Sequence, residues 1–204
     1  MQTELVPTKT KILGAALQLV RKKGYDATTV DDLCRAASVT KGAFFHHFES
    51  KEELAVEATK FWTQVTDQVF ATAEYHLFED PLDQLIGYID FRIQLLKGRS
   101  LPECTCFLGT MAQEQFESHP AIREACYVAI LTHANQVALM IAAAKAKHAP
   151  NSSWSAESLA LHTQAVIQGA FVLAKAKNDV ALAADMILHL RRYIELLFHH
   201  AKED

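Results

Sequence analysis

The segment TTVDDLCRAASVTKGAFFHHFESKEEL, residues 28–54, constrains the fold of this chain more than any other stretch. It predicts a helix, a short turn, a second short helix and the start of a long helix. In such a layout the second helix can be held in the major groove of DNA. The remaining sequence predicts an apolar helical body, so the chain reads as a DNA-binding head attached to a domain that controls it.

The composition favours helix along nearly the whole chain of 204 residues, because glycine (7) and proline (5) are scarce and 50% of residues are hydrophobic. Alternating apolar and polar stretches that would support a sheet are missing. We therefore predict an all-α fold with about nine helices. Residues 1–54 would form a three-helix helix-turn-helix DNA-binding domain, and residues 55–204 a helical ligand-binding and dimerisation domain.

Apolar spacing, caps and breakers predict the helix boundaries. Thr29 and Asp32 resemble a capping box, and Gly24 ends the helix before it. The helices are expected at about 8–23, 30–37, 40–48, 50–76, 81–96, 104–116, 120–147, 156–177 and 179–200.

The charge distribution agrees with a DNA-binding end and a solvated body. The net charge is −4, but residues 1–55 carry eight basic and seven acidic side chains, so the remainder carries −5. The N-terminus lacks an apolar leader and no long uninterrupted apolar run is present, so we expect a cytoplasmic protein without a membrane partner. Four cysteines in a chain of this length do not indicate a disulfide framework.

The residues expected at the DNA begin the second helix of the motif. Thr40, Lys41, Gly42 and Ala43 provide a hydroxyl cap, a cation and two minimal side chains at the end that would enter the groove. Behind them, the aromatic side chains four residues apart at 44 and 48 would pack inward. On this pattern alone, an ordinary helical hairpin remains an equal alternative.

The run VTKGAFFHHFESKEEL resembles the signature of the TetR family of bacterial transcription regulators, and the likeness extends over about residues 9–60. Phe45 stands where the family usually has tyrosine, which implies one phosphate contact fewer or a packing role. Ser38 stands where the family usually has glycine. The resemblance implies a double-stranded DNA operator as partner and DNA contacts from Thr28, Thr29, Thr40, Lys41, Gly42, Ala43, Phe45, His46, His47 and Lys51.

One short helix reads only a few base pairs, so recognition of a palindrome needs two DNA-binding domains and hence a dimer. The last two predicted helices are candidates for the dimer interface because each carries an apolar stripe. The resemblance implies a homodimer with a four-helix interface. The alternative is that both apolar stripes face the core of one chain. The stripe residues are Leu159, Val166, Ala170, Leu173, Ile187, Leu190, Ile194 and Leu197.

The resemblance also implies an inducer pocket among the middle helices, for a small apolar or aromatic ligand. Each candidate has an ordinary core role as its alternative. The candidates are Trp62, Val65, Phe91, Leu95, Phe107, Met111, Phe116, Met140 and Gln168.

The stretch CTCFLGTMAQE resembles the Gly-Cys-Leu-x-Gly-x-Leu-Ala-x-Glu segment of a TetR branch that includes sensors of electrophiles and reactive chlorine. Cys106 falls on the cysteine of that branch, although Thr105 replaces its usual glycine, and Lys175 falls on a lysine that lies near the thiol in such sensors. A cysteine at a helix start can have its thiolate favoured by the helix dipole. The alternative is a small, inert, packed residue.

These observations predict a ligand- or redox-responsive repressor that is not an enzyme, needs no cofactor and holds no metal. An effector in the body would shift the long fourth helix and separate the two heads. Two alternatives stay open: an architectural DNA-binding protein without an inducer, and a helical carrier of apolar ligands or an enzyme.

Overall fold

The computed structural model describes the backbone of residues 6–200, and within that range the chain forms ten α-helices, one 3₁₀ turn and no strand. The all-α prediction is confirmed, with one helix more than the nine expected. The helices are α1 Thr8–Lys23, α2 Val30–Ala37, α3 Lys41–His47, α4 Lys51–Ala71, α5 Pro81–Gln94, α6 Leu101–Cys104, α7 Phe107–Gln115, α8 Pro120–His148, α9 Ala156–Lys177 and α10 Val180–His200.

The extra helix arises where we expected a break followed by one helix from 104 to 116. Pro102 lies inside the first turn of α6, where its missing N–H would have had no partner in any case, so the proline helps to start a helix. The chain then bends at Thr105, and α7 begins only at Phe107. The predicted fourth helix likewise ends early, at Ala71, and a 3₁₀ turn follows at Glu74–Leu77.

Local capping explains the helix starts in the first part of the chain. The Thr29 hydroxyl accepts a hydrogen bond from the Asp32 nitrogen, and the Asp32 carboxylate accepts one from the Thr29 nitrogen, which is a complete capping box. The Ser50 hydroxyl caps α4 by accepting from the Glu53 nitrogen at 3.0 Å. Both caps satisfy amides that a helix start otherwise leaves unpaired.

The chain divides into two compact units. The first ends at Asp67 and takes in Thr105–Ala129, so it contains α1, α2, α3, α7 and most of α4. The apolar faces of α1, α2 and α3 meet in its core, where Ile12, Leu33 and Phe44 are at most 1% exposed. This compact unit is larger than the predicted head of residues 1–54, because α7 packs on α1.

The second unit comprises Gln68–Cys104 and the chain from Ile130 onward. In it, α10 packs against both α5 and α9. Leu85 and Ile89 of α5 and Ile187 and Ile194 of α10 have no exposed surface, so they form the centre of this core.

Helix α8 is long and apolar enough to cross a bilayer by length and composition, and it is the one such helix in the described part of the chain. An apolar core helix of a water-soluble protein meets the same criterion. Ile122, Val137 and Ile141 of α8 are fully buried inside the protein, although most of its apolar window is not buried.

Candidate DNA-binding site

The N-terminal tip of α3 is exposed and rests on a buried aromatic base. Thr40 caps the helix by accepting a hydrogen bond from the Ala43 nitrogen at 3.1 Å, and Lys41 and Gly42 are exposed beside it. Phe44 and Phe48 are 0% and 1% exposed, with ring centroids 5.7 Å apart. The predicted inward packing is therefore present, and it leaves a cation and a glycine on the outer surface.

The Lys41 ammonium is paired with a carboxylate on the preceding helix. Its Nζ lies 2.9 Å from Oδ1 of Asp31, and both side chains are about 60% exposed. This partner raises the pKa of Lys41. The charge at the tip of α3 is thus paired with a carboxylate of α2.

Of the three residues between the buried Phe44 and Phe48, two are exposed on the surface. Phe45 is 55% exposed and meets Phe44 only edge to face, at a centroid distance of 5.1 Å. His46 is exposed and His47 is partly buried, with their rings 5.0 Å apart. The large exposure of Phe45 argues against a packing role and places an apolar ring on the outer side of α3.

Three of the side chains expected to contact DNA form hydrogen bonds within the protein. Thr28 is 1% exposed and its hydroxyl donates to the Gly24 carbonyl at 2.6 Å. The Lys51 ammonium donates to the carbonyls of Tyr25 and Thr28 at 3.1 and 3.2 Å. The Thr29 hydroxyl is exposed but donates to Asp32 at 2.8 Å. These side chains shape the loop before α2 and are already hydrogen-bonded in the free protein.

The turn between α2 and α3 depends on a left-handed serine. Ser38 has φ 55° and ψ 47°, and its nitrogen donates to the Arg35 carbonyl. Glycine adopts this conformation without the penalty that a Cβ introduces. Ser38 therefore adopts a conformation that is less favourable for serine than for the glycine usual in the family.

Asp32 joins three neighbours on the outer side of α2. Its carboxylate is 2.7 Å from the Lys23 ammonium, 3.2 Å from Arg35 and within hydrogen-bonding distance of Thr29. The hydrogen bond from Lys23 is the largest cause that holds the pKa of Asp32 well below its usual value. Arg35, with 77% of its side chain exposed, is a cation in the last turn of α2 that the sequence analysis did not single out.

A carboxylate from α7 holds the loop that connects α1 and α2. Glu114 accepts hydrogen bonds from the backbone nitrogens of Tyr25 and Asp26 at 2.7 and 2.9 Å. A Cβ at Gly24 would lie 2.9 Å from both carboxylate oxygens, and φ at this residue is +86°, so the close approach needs glycine. Gln115 adds a bond of 3.0 Å to the Asp26 carboxylate.

The predicted inducer-pocket residues are distributed over both units. Phe107 and Met111 are fully buried and line a cavity of about 10 Å³ in the first unit, which has room for at most one water molecule. Val65 and Phe116 are exposed, Trp62 is partly buried, and all three belong to the first unit. The partly buried Phe91, Leu95, Met140 and Gln168 belong to the second unit.

Cys106 is the cap of α7, which agrees with its expected place at a helix start. Its sulfur accepts a hydrogen bond from the Gly109 nitrogen at 3.4 Å, and the side chain is partly buried. Cys126 is buried, which raises the pKa of its thiol to about 12. Lys175 is exposed in the last turn of α9. No group of three or more potential metal ligands lies within the described residues.

Most of the predicted interface residues lie in the core of a single chain. Leu159, Ala170, Ile187, Leu190 and Ile194 are at most 5% exposed, and Val166 and Leu197 are partly buried. Leu173 is 50% exposed. The exposed apolar or small side chains of α9 and α10 form a set that shares only Leu173 with the prediction and includes Leu161, Ala165, Gly169, Val172, Leu173, Tyr193 and Leu196.

An exposed, cation-bearing helix tip seated on a three-helix core defines a helix-turn-helix DNA-binding protein. The comparisons with known proteins give the family. The chain belongs to the TetR family of transcriptional regulators: residues 12–58 match the family model for bacterial regulatory proteins of the tetR family, and residues 81–184 match the model for the C-terminal domain of LmrA/YxaF-like transcriptional regulators. The family prediction is confirmed, whereas membership of the reactive-cysteine branch stays a prediction.

Curated relatives match mainly the first half of the chain. The HTH-type transcriptional regulator UidR of Escherichia coli strain K12 is 32% identical over 94 residues, which are 46% of this chain and 43% of UidR. The biofilm operon icaADBC HTH-type negative transcriptional regulator IcaR of Staphylococcus aureus strain Newman is 36% identical over 52 residues, 26% of this chain and 28% of IcaR. The matched part thus spans less than half the length of these relatives.

Solved structures match the fold over almost the whole chain. A TetR-family regulator from Agrobacterium tumefaciens has a TM-score of 0.80 and 19% identity, with 91% of this chain and 96% of that chain covered. The reduced form of NemR from E. coli has a TM-score of 0.76 and 19% identity with the same coverage. At these identities the likeness concerns the fold alone.

Proposed function

We propose that this protein is a cytoplasmic transcriptional repressor that binds a palindromic operator as a homodimer and releases it on binding a small effector. The observation that carries the proposal is the tip of α3, where Thr40, Lys41 and Gly42 are exposed above the buried Phe44. A repressing action is favoured by the relative IcaR, which is described as a negative regulator. The protein acts by binding, and its role is not enzymatic.

In this proposal the tip of α3 reads base edges while nearby donors contact phosphates. Lys41, Ala43 and His46 are expected nearest the bases, because they lie on the exposed side or end of a helix that can enter the major groove. Arg35 and His47 are candidates for phosphate contacts. Thr28, Thr29 and Lys51 support the site by holding the loop before α2, and Lys51 reaches a phosphate only by giving up its bonds to two carbonyls.

The exposed apolar face of α9 and α10 is the surface we assign to the dimer. Leu161, Ala165, Gly169, Val172 and Leu173 recur at helical spacing on the outside of α9. A Cβ at Gly169 would meet no atom of its own chain within 4 Å, so a partner helix can approach closely there.

Charge introduced on this face tests the interface. Leu173→Glu should convert a dimer into a monomer in sedimentation equilibrium, whereas Lys177→Glu, at an exposed position on the same helix, should not. A Leu173→Glu protein that remains dimeric would contradict the assignment.

The link between effector and head is proposed to run through two helices. Glu114 ties the end of α7 to the loop before α2, so a displacement of α7 changes the geometry of the head. The N-terminal Lys51 of α4 holds the same loop through two carbonyls. Because an effector shifts the equilibrium only by its preference for one state, it must bind better to the form that fits DNA poorly.

A redox effector is a second possibility that one observation favours. Cys106 caps the same helix whose other end carries Glu114, so a modification of its thiol would remove the cap and alter α7 directly. The structure of NemR, which has a similar fold, is described as a reduced form.

Protection of a palindrome is the decisive test of the function. We expect DNase footprinting with the purified protein on the DNA upstream of its own gene to show two protected half-sites one helical turn or a multiple of it apart. A footprint without two-fold symmetry would exclude the homodimer on a palindrome. Absence of any protected sequence there and across a genomic selection of binding sites would overturn the proposal.

A further inference from the structure

The second unit contains a polar cluster made by one side chain of α8 and two of α5. The Tyr88 hydroxyl lies 2.9 Å from Nε2 of His133, and the Arg92 guanidinium donates to the Tyr88 oxygen at 3.0 Å and lies 2.8 Å from the same histidine nitrogen. Tyr88 is fully buried, whereas Arg92 and His133 are partly buried. The cluster is therefore partly accessible at Arg92 and at His133.

The protonation states in this cluster follow from the donors. A guanidinium can only donate, so Nε2 of His133 accepts its hydrogen bond and the imidazole is neutral. Burial and the positive charge of Arg92 lower the pKa of His133 to about 3. Arg92 is consequently the one charged member, and its remaining N–H groups are not used by Tyr88 or His133.

Aromatic rings surround this charge. The Arg92 guanidinium lies 4.6 Å from the centroid of the Phe70 ring. Phe91 meets Phe70 edge to face at 5.6 Å, and Tyr75 lies 6.0 Å from Phe91. Gly87 allows the approach of Tyr75 to α5, because a Cβ there would lie 2.7 Å from the Tyr75 side chain.

Arg92 and the neighbouring Tyr75 have hydrogen-bonding capacity that no described residue uses. Arg92 forms no salt bridge with any residue in the described range, and the nearby carboxylate of Asp90 is held by Arg191 at 2.7 Å. The Tyr75 side chain is 5% exposed, its ring meets Tyr88 edge to face with centroids 5.8 Å apart, and its hydroxyl forms no hydrogen bond with another residue of the described range. Burial and nearby Tyr88 raise the pKa of Tyr75 to about 12, while the positive charge of Arg92 opposes this shift.

We infer that Arg92, Tyr75 and the surrounding rings of Phe70 and Phe91 form a binding site for an aromatic carboxylate. The carboxylate accepts hydrogen bonds from the free N–H groups of Arg92 and from the Tyr75 hydroxyl, and the ligand ring packs against the phenylalanines. The inference deepens the proposed function, on which it rests, by assigning the chemical class of the effector.

The same features disfavour other ligand classes. A neutral aromatic ligand would cover the guanidinium without supplying an opposite charge, which is costly in a partly buried place. A cationic ligand would be repelled by Arg92. Phe91 was among the pocket residues expected from the sequence, whereas its charged neighbour Arg92 was not.

Calorimetric titration with two matched probes tests the inference. Benzoate should bind the full-length protein measurably at millimolar concentration, and benzamide, which has the same ring and no charge, should bind at least about tenfold more weakly. Arg92→Gln should weaken benzoate by about tenfold or more, and Arg99→Gln, an exposed arginine beyond α5, should leave it unchanged. Equal binding of the two probes, or of benzoate to wild type and Arg92→Gln, would overturn the site, as would no benzoate binding to wild type.

Tyr75→Phe provides a second test of the site, in case Arg92→Gln loses affinity because it misfolds. This change keeps the ring and removes a hydroxyl that has no partner, so the midpoint of thermal unfolding without ligand should stay the same or rise, while benzoate affinity falls severalfold. A lower midpoint with unchanged benzoate affinity would show that the hydroxyl has a structural role and would contradict the inference.

A gel shift with the footprinted DNA separates this inference from the function. If the protein binds the operator but does not bind benzoate, the carboxylate site is excluded and the proposed repressor function stands. If it binds benzoate but protects no DNA, the carboxylate site is supported and the repressor function is excluded.

Discussion

The carboxylate of Glu114 accepts a hydrogen bond of 2.7 Å from the backbone nitrogen of Tyr25, 89 residues earlier in the chain. A second bond of 2.9 Å comes from the nitrogen of Asp26. Hydrogen bonds to a charged group are stronger than those between neutral groups, so this pair fixes the loop at the entrance to the helix-turn-helix. The orientation of α2 and α3 therefore depends on a residue far outside the DNA-binding motif.

We predict that Glu114→Ala lowers the free energy of unfolding by about 2 kcal/mol, because two backbone amides lose a charged acceptor. Glu114→Gln should have a smaller effect, since its amide oxygen still accepts. Urea denaturation checks both variants, and Glu117→Ala, at an exposed position of the same segment, should change stability by less than about 0.5 kcal/mol. Equal stabilities of the Glu114 and Glu117 variants would show that the clamp contributes nothing.

Lys41→Ala should weaken operator binding and reduce the dependence of log affinity on log salt by about one unit, if Lys41 neutralises a phosphate. Lys60→Ala provides the matched control. Lys60 is similarly exposed, at 64%, and is paired with Glu57 at 2.7 Å, but it lies on α4 away from the tip of α3. Affinity measured at several salt concentrations distinguishes them, and identical slopes for the two variants would remove Lys41 from the interface.

Ser38→Gly should raise the free energy of unfolding by about 0.5–1 kcal/mol, because glycine removes the cost of a Cβ at φ 55°. Asn178 ends α9 in the same conformation, at φ 57°. Asparagine tolerates this region better than serine, so Asn178→Gly should gain less. Denaturation midpoints of the two variants give the comparison, and a loss of stability in Ser38→Gly would contradict the prediction.

The stability should fall as pH decreases below about 6.5, and His133 should account for part of the fall. Its pKa is about 3 in the folded protein, against 6.5 for an ordinary histidine. The unfolded chain therefore binds a proton that the folded chain rejects, which costs on the order of 2 kcal/mol between pH 6.5 and 5. This stabilisation is complete above 6.5 and is lost toward pH 3.

Thermal unfolding of His133→Gln across pH 5 to 7 checks that effect, since the variant should depend less on pH than wild type. The exposed His46→Gln serves as a control and should follow the wild-type curve. Parallel curves for wild type and His133→Gln would mean that this imidazole is not held neutral by the fold.

Cys106→Ser tests the redox hypothesis. If the thiol is the sensor, hypochlorite or an electrophile should release operator DNA from wild type and not from this variant, in which a hydroxyl can still cap α7. Cys34→Ser is the control, because that buried thiol has a pKa raised mainly by burial and should not react. Equal release from all three proteins would exclude Cys106 as the switch.

The helix-turn-helix was predictable because its determinants are local. Thr29 and Asp32 are three residues apart and cap α2, and Phe44 and Phe48 are four apart and fill one face of α3. A short-range pattern determines each of these features. The positions of Thr40, Lys41 and Gly42 at an exposed tip follow from the same rules.

Contacts distant in sequence were not predictable in this way. No local signal connects Glu114 with Tyr25, or His133 with Arg92, because each pair is joined only by the packing of separate helices. Helix α9 was difficult to predict for a related reason. Its apolar residues occupy two faces, and their spacing does not tell which face packs into the core of the same chain and which stays exposed. The stripe that contains Leu159 and Ala170 is in the core, while the one that contains Leu161 and Val172 is outside.

The pairing of Lys41 with Asp31 has a consequence for any encounter with nucleic acid. A phosphate that reaches this lysine must first displace a carboxylate already seated there, so contact is an exchange of anions and not the capture of a bare cation. We expect this competition to lower the affinity of the tip for an isolated anion. An operator that contacts the whole of α3 makes additional contacts, which can offset the loss of the Lys41–Asp31 pair. We therefore expect the Asp31 carboxylate to compete with phosphates for Lys41.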